Sequence, residues 1–263
     1  FDFTITSLTA SKDDFVLSSC VELLSEISSI SFEYIQESID LGFETCRKLF
    51  SNKQYFTDIS NFLMSLSENM PNYKADIIEE KLPILIDSIF DEESGSRKKR
   101  LERAESLSTL LISRKNTNQE YMNKIINFAI DSINNGEIIY ICALIIALSK
   151  HLEQDKAVLI FQQLESIART ETHSTELNSV LHTMKKLMKL YSIDAYDFVL
   201  DILNGKIKYF DGLPVYTVQD PNTMIFLFVA KYVHQFPQKS GEICSKLIEF
   251  VPNISYVLLP SIL

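Results

Sequence analysis

Apolar residues recur three or four positions apart along almost the whole chain, and this spacing constrains the fold more than any other feature. In residues 31–50 one face carries Phe32, Ile35, Ile39, Phe43, Cys46 and Phe50. Residues 175–191 carry a second stripe of the same kind. An α-helix with one apolar face has this period, whereas a half-buried strand alternates strictly between apolar and polar residues. The pattern therefore predicts an all-α protein.

The low content of turn-forming residues supports the same interpretation. The chain has 263 residues but only six glycines and seven prolines. β-sandwiches, barrels and doubly wound α/β folds need more turn and phosphate-loop glycine than this. The best candidate for an extended segment, 213–218, contains a proline, which favours a loop over a strand.

Capping residues and prolines lie between the stripes and divide the chain into twelve predicted helices, with Ser192 as one predicted N-cap. The predicted ranges are 12–28, 31–50, 52–69, 72–92, 98–113, 118–134, 137–151, 154–170, 175–191, 193–204, 221–235 and 239–251. Linkers of mostly about one to five residues make neighbouring helices run antiparallel. Six helical hairpins then begin near residues 12, 52, 98, 137, 175 and 221.

The hairpins start about 40 residues apart, the repeat length of HEAT and armadillo proteins, whose hairpins stack into an α-solenoid. We therefore expect residues 1–263 to form a single right-handed α-solenoid segment of about six antiparallel hairpins. Two irregular loops are expected to interrupt it, at 91–100 and 205–219. Because the chain starts at Phe1 rather than Met and ends on apolar residues, we expect it to be part of a longer protein.

Charge and the length of apolar runs narrow the classes of partner, and the cysteines indicate the compartment. The net charge of −10 argues against direct nucleic-acid binding, which relies on clustered Lys and Arg. The longest apolar run, 138–148, is about half the length that spans a bilayer, so no membrane span is expected. Cysteines Cys20, Cys46, Cys142 and Cys244 form no CxxC pair and lie in apolar stripes. This pattern predicts that they are reduced thiols in the core of a protein of the cytoplasm, the nucleus or both.

The residues expected of a catalytic or metal site do not cluster in the sequence. The four histidines are scattered, and no HExxH, GxSxG, Cys/His metal spacing or glycine-rich phosphate loop occurs. The acidic pair Glu79-Glu80 is best explained as a solvated helix face. We therefore expect a non-enzymatic protein without a catalytic residue, metal or cofactor. An all-α enzyme is the alternative, and it requires several histidines and acids to meet in one pocket.

Two segments are candidates for partner binding. The first is the basic cluster Arg97, Lys98, Lys99 and Arg100, with Arg103 one turn further on. It fits a targeting signal or a docking patch, but we favour the interpretation as a cationic start of an exposed helix whose charge is softened by neighbouring acids. The second is the loop 205–219, which carries Tyr209, Phe210 and Tyr216. These aromatic side chains either contact a partner or pack against the neighbouring hairpin.

The first third of the chain shows a family resemblance. The run Phe62-Leu-Met-Ser-Leu-Ser-Glu-Asn-Met-Pro71 leads into the apolar helix 76–90 and then into Asp91-Glu-Glu93. This order resembles helical repeats of the importin-β (karyopherin) superfamily, and the resemblance covers about residues 12–93. The chain departs from the family where the loop turns basic at Arg97, and it has no tryptophan.

The resemblance implies a cargo- or GTPase-binding segment of a nuclear transport receptor. The inner helices of such a receptor would present acidic side chains to a basic cargo or to a small GTPase. HEAT repeats also build rigid assemblies, so the alternative is a structural subunit of a stable chromosome-associated or trafficking complex.

Overall fold

The structure, a computed structural model, describes residues 13–28, 35–69, 75–114, 118–170, 174–204, 206 and 221–250. These ranges contain twelve α-helices, three short 3-10 helices and no strand. The prediction of an all-α protein is confirmed. The chain divides into two compact units, Phe1–Ala129 and Ile130–Leu263.

The helices of the first unit pack in an alternating order. They are α1 (Asp14–Ser28), α2 (Ile35–Leu49), α3 (Phe56–Asn69), α4 (Ala75–Phe90), α5 (Arg97–Ser113) and α6 (Gln119–Ser132, which ends just beyond the unit). Helix α3 contacts α1 on one side and α5 on the other, while α2 packs on α1 and α4 packs on α5 and α3. The core runs through α3, α4 and α5, where Ile59, Leu85, Ile89, Leu101 and Leu107 are fully buried.

The helices of the second unit are α7 (Ile138–Leu148), α8 (Gln154–Thr170), α9 (Ser174–Tyr191), α10 (Tyr196–Leu203), α11 (Pro221–Gln235) and α12 (Ser240–Phe250). Helix α9 contacts α7, α8 and α11, and α10 contacts α11 and α12. On the apolar face of α9, the side chains of Met184, Leu187 and Met188 are completely buried. The Tyr191 hydroxyl lies 2.7 Å from the Ser149 carbonyl oxygen and 2.8 Å from that of Leu152, and so joins α9 to the α7–α8 turn.

Most predicted helices are present within a few residues of their predicted ends, but one local expectation is wrong. Ser192 does not cap a helix that starts at 193, because its φ of 51° places it in the left-handed region. Helix α10 instead begins at Tyr196, whose backbone N–H donates to the Asp194 carboxylate at 3.1 Å. In the segment 91–100, residues Glu92–Ser94 form a 3-10 helix and α5 begins at Arg97.

Burial of the cysteines agrees with their predicted role as reduced core thiols. Cys20, Cys46 and Cys142 are buried and Cys244 is half-buried, and all four are free thiols. Burial raises the pKa of the Cys142 thiol to about 12, which leaves it unreactive. Within the described ranges, no helix combines the length and apolar character needed to cross a bilayer.

Candidate functional site

The basic cluster at the start of α5 is divided between surface and core. Lys98 and Lys99 are exposed and Arg97 is partly exposed, whereas only 8% of Arg100 is exposed. Arg103, one turn further on, is fully buried. The cluster therefore does not form one continuous cationic patch.

Arg103 is held by neutral oxygen atoms rather than by a carboxylate. Its Nη1 donates to the carbonyl and hydroxyl oxygens of Ser88, at 3.1 and 2.7 Å, and to the Ser94 hydroxyl at 2.9 Å. Its Nη2 donates to the Ser94 carbonyl at 3.0 Å and to the Thr57 hydroxyl at 3.3 Å. The guanidinium also lies 5.6 Å from the ring centre of Phe56. We call Thr57, Ser88, Ser94 and Phe56 the Arg103 cage.

Arg100 and Arg103 both reach the carboxyl end of α4. Arg100 Nη1 donates to the Ile89 carbonyl at 3.3 Å, next to the Ser88 carbonyl that binds Arg103. The last carbonyls of a helix have no partner within the helix and carry partial negative charge, so two guanidinium groups stabilise them. Burial and the nearby charge of Arg100 lower the pKa of Arg103 to about 10.

These contacts change the interpretation of α5. The expectation of an exposed helix with a cationic start is wrong, because α5 packs between α3 and α4 and buries Arg100 and Arg103. Of the predicted binding residues that the structure describes, only Lys98 and Lys99 extend well into solvent, and Lys98 lies 4.0 Å from the Glu102 carboxylate. Tyr209, Phe210 and Tyr216 lie outside the described residues, so binding by that loop stays a prediction.

A second surface, on α4, was not among the binding candidates derived from the sequence. The exposed residues of this helix, which we call the α4 face, are Asp76, Glu79, Glu80, Ile84, Asp87 and Phe90. Four carboxylates stand against one basic residue in the helix, Lys81, which gives a net charge of −3. The interpretation of Glu79 and Glu80 as a solvated face agrees with their exposure. Acidic residues opposite an apolar stripe were the available signal, but the same pattern occurs on many purely solvated helices.

A pocket of about 130 Å³ lies between α2 and α4, and we call it the α2/α4 pocket. It is lined by the side chains of Phe43, Cys46, Phe50, Leu63 and Ile78, with Glu44, Arg47, Glu80 and Lys81 at its charged edge. All the apolar residues except Phe50 are buried. At the edge Arg47 lies 3.9 Å from Glu44, and Lys81 lies 2.7 Å from Glu80. The edge is therefore charged, whereas the floor is apolar.

A wider cleft of about 340 Å³ lies on the other side of α4, against α6. Lys124 Nζ lies 3.5 Å from Asp87, and the rings of Phe90 and Phe128 meet edge to face at 5.5 Å, so α6 is held beside α4. The buried Arg114 lines this cleft, and its Nη2 lies 3.4 Å from the Glu79 carboxylate. The α4 face is thus a ridge between two depressions.

The described residues contain no group of three or more His, Cys, Asp or Glu side chains arranged to hold a metal ion. His151, His182 and His234 lie on separate elements, the α7–α8 turn, α9 and α11. Comparison with known proteins finds no family model, no curated protein and no solved structure that matches the chain.

Proposed function

We propose that this chain is a non-enzymatic protein-binding scaffold, built as an α-solenoid of about six helical hairpins, and that a basic partner protein docks on the α4 face. The observation that carries the proposal is the concentration of exposed carboxylates on one helix. Glu79, Glu80 and Asp87 are each more than half exposed.

The order of helix contacts within each unit supports the solenoid part of the proposal. In the first unit α1, α3 and α5 contact one another in series, and in the second unit α7, α9 and α11 do the same. Contacts between every second helix are what repeated hairpins make when each stacks on its neighbours. The twelve helices of the described ranges then correspond to six hairpins.

The charges of the α4 face act mainly on association. An exposed ion pair contributes only about 0.2–1 kcal/mol, so no single carboxylate dominates the binding energy. Several carboxylates on one ridge attract a basic partner over about 10 Å at 0.1 M salt, and this attraction weakens as salt is added. Salt-sensitive binding is therefore expected.

The test uses the full chain as immobilised bait in three forms. The wild type is compared with a Glu80→Lys/Asp87→Lys variant and with a Glu153→Lys/Asp155→Lys control. Each variant raises the net charge by the same amount and disrupts ion pairs, because Glu80, Asp87 and Glu153 each have a lysine partner. Captured proteins are identified by mass spectrometry across roughly 50 to 500 mM salt.

We expect the wild type and the control to retain basic proteins that elute as salt rises, and the α4 variant to lose them. Binding that is indifferent to salt, or equal loss in both variants, would show that the α4 face is not the docking surface.

The narrower proposal is a cargo- or GTPase-binding segment of a nuclear transport receptor, and it rests on the resemblance of residues 12–93. Its test is the release of captured proteins by a small GTPase in the GTP-bound form but not in the GDP-bound form. The exposed Ile84 and Phe90, 48% and 47% accessible, instead favour a structural subunit with a permanent apolar interface. Partners that bind stoichiometrically and are released neither by salt nor by the GTPase would favour the structural subunit.

A further inference from the structure

We propose that the α2/α4 pocket receives one bulky apolar side chain of the partner, from a segment whose flanking residues are basic. This inference rests on the proposed function, because it specifies which feature of a basic partner the α4 side of the first unit recognises. It goes further by assigning an anchoring site and the chemistry of the residue that fills it.

The size and lining of the pocket indicate an apolar side chain. Its volume of about 130 Å³ is close to that of the engineered protein cavity of about 150 Å³ that binds benzene. A leucine, isoleucine, methionine or phenylalanine side chain is of this size. The floor of the pocket, formed by Phe43, Leu63 and Ile78, is apolar and buried. Nothing in that floor offers a charged group to a polar ligand.

The charges around the pocket determine which neighbours the anchor residue has. The two cations at its edge, Arg47 and Lys81, already lie beside Glu44 and Glu80, and Lys81 also lies 5.9 Å from the Phe50 ring centre. Glu79 and Asp87 also lie beside cations, Arg114 and Lys124, so the four carboxylates of α4 outnumber the three cations that pair with them by one.

Helical geometry gives the spacing of the basic flanks. Asp76 precedes Glu80 by four residues and Asp87 follows it by seven. The rise of an α-helix places these residues about 6 Å and about 10 Å away along the axis. A segment lying along α4 with its anchor in the pocket thus has basic residues within one or two turns of the anchor, and Ile84 offers it a further apolar contact.

The experiment selects ligands without assuming a partner. A random 12-residue peptide library is displayed on mRNA and selected on the full chain at low salt. The enriched peptides are then compared with those enriched on the Glu80→Lys/Asp87→Lys variant. We expect the wild type to enrich peptides with one bulky apolar residue flanked by Lys or Arg, and the variant not to enrich them.

The anchor is then tested on one enriched peptide, labelled for fluorescence anisotropy. Replacing its apolar residue by Ala is expected to weaken binding about 10- to 100-fold, because burial of that side chain is lost. A photoreactive leucine at the same position is expected to cross-link to the pocket lining, that is, within residues 43–50, at Leu63 or within residues 78–81. A Cys46→Phe variant, which fills the pocket, is expected to weaken binding to the same extent. Cross-linking uses the wild-type protein, so the result does not depend on how well that variant folds.

The outcomes separate this inference from the proposed function. One contrary result is that the basic peptides depend on the α4 charges but not on the apolar residue, and another is that they cross-link elsewhere. Either result overturns the pocket proposal and leaves the proposed scaffold function standing. Neutral or acidic peptides that cross-link to the pocket and ignore the charge reversal overturn the proposed basic partner. If no peptide is enriched on the wild type over the variant, both proposals are wrong.

Discussion

Truncation of Arg103 to alanine tests whether the Arg103 cage holds α4 and α5 together. The fully buried guanidinium makes five hydrogen-bond contacts through its four Nη–H groups, and the acceptors among the described residues are neutral oxygens of Thr57, Ser88 and Ser94. After truncation the Ser88 carbonyl keeps a donor, because the Ser94 hydroxyl lies 2.5 Å away. The Ser94 carbonyl loses its guanidinium donor inside the core. Arg103→Ala is therefore expected to destabilise the protein.

The size of the destabilisation follows from the polar groups and the space that Arg103→Ala leaves behind. A buried polar group without a partner costs about 1–3 kcal/mol, and loss of the cation–π contact with Phe56 adds about 0.5–2 kcal/mol. The cavity left by the long side chain adds to both, since the surrounding core collapses only in part. We expect a loss of about 4 kcal/mol in the free energy of unfolding, which for a chain of this length lowers Tm by roughly 8–16 °C.

Two further variants make the measurement specific. Arg103→Met fills the space and removes a charge whose burial is itself unfavourable, so it is expected to cost less than alanine. Lys98 lies in the same helix but is exposed, so the free energy of unfolding of Lys98→Ala is expected to lie within about 0.5 kcal/mol of the wild-type value. Urea denaturation followed by circular dichroism measures all three. If the free energy of unfolding of Arg103→Ala lies within about 1 kcal/mol of the wild-type value, the Arg103 cage does not stabilise the packing of α4 on α5.

Gly95 has a φ of 140°, so Gly95→Ala is expected to lower the free energy of unfolding by about 1–3 kcal/mol. Gly241 lies in α12, and a Cβ added there meets no atom within 4 Å, so Gly241→Ala is expected to raise the free energy of unfolding by about 0.5–1 kcal/mol. Thermal unfolding separates the two signs. Although partial burial opposes it, hydrogen bonds from Lys239 and Tyr232 lower the pKa of Asp194. That stabilisation is present above the ordinary aspartate pKa and is lost as pH falls through the lowered one. Asp194→Asn should therefore flatten the loss of stability below about pH 4 in acid titrations of the unfolding midpoint, and an unchanged acid limb would show that the contact is not formed in solution.

Helix content and helix positions followed directly from local sequence patterns. The stripes, caps and prolines predicted twelve helices, and the described residues contain twelve, because apolar residues three or four positions apart fall on one face of an α-helix. The exception at Ser192 has a local cause. The Tyr196 N–H at the start of α10 donates to Asp194, two residues after Ser192. Serine and aspartate are both common caps, so the sequence did not distinguish between them.

The roles of individual charged residues were much harder to predict. Arg100 and Arg103 lie in a run of basic residues that is typical of an exposed helix start, yet both are buried against the end of α4. Their partners are backbone carbonyls and hydroxyls that lie 9 to 46 residues away in the sequence, a separation that local patterns do not encode. The α4 face was visible as acidic residues, but its neighbouring pocket depends on α2 and α3 meeting α4.

The sequence by itself therefore determined the helical class, the positions of the helices and the acidic character of α4, because each of these depends on residues that are close along the chain. Tertiary structure decided which charges face solvent, which arginines are enclosed, and where a pocket lies between helices. Those properties depend on side chains brought together from distant parts of the chain, and burial in the core sets their energies more strongly than the sequence around each residue does.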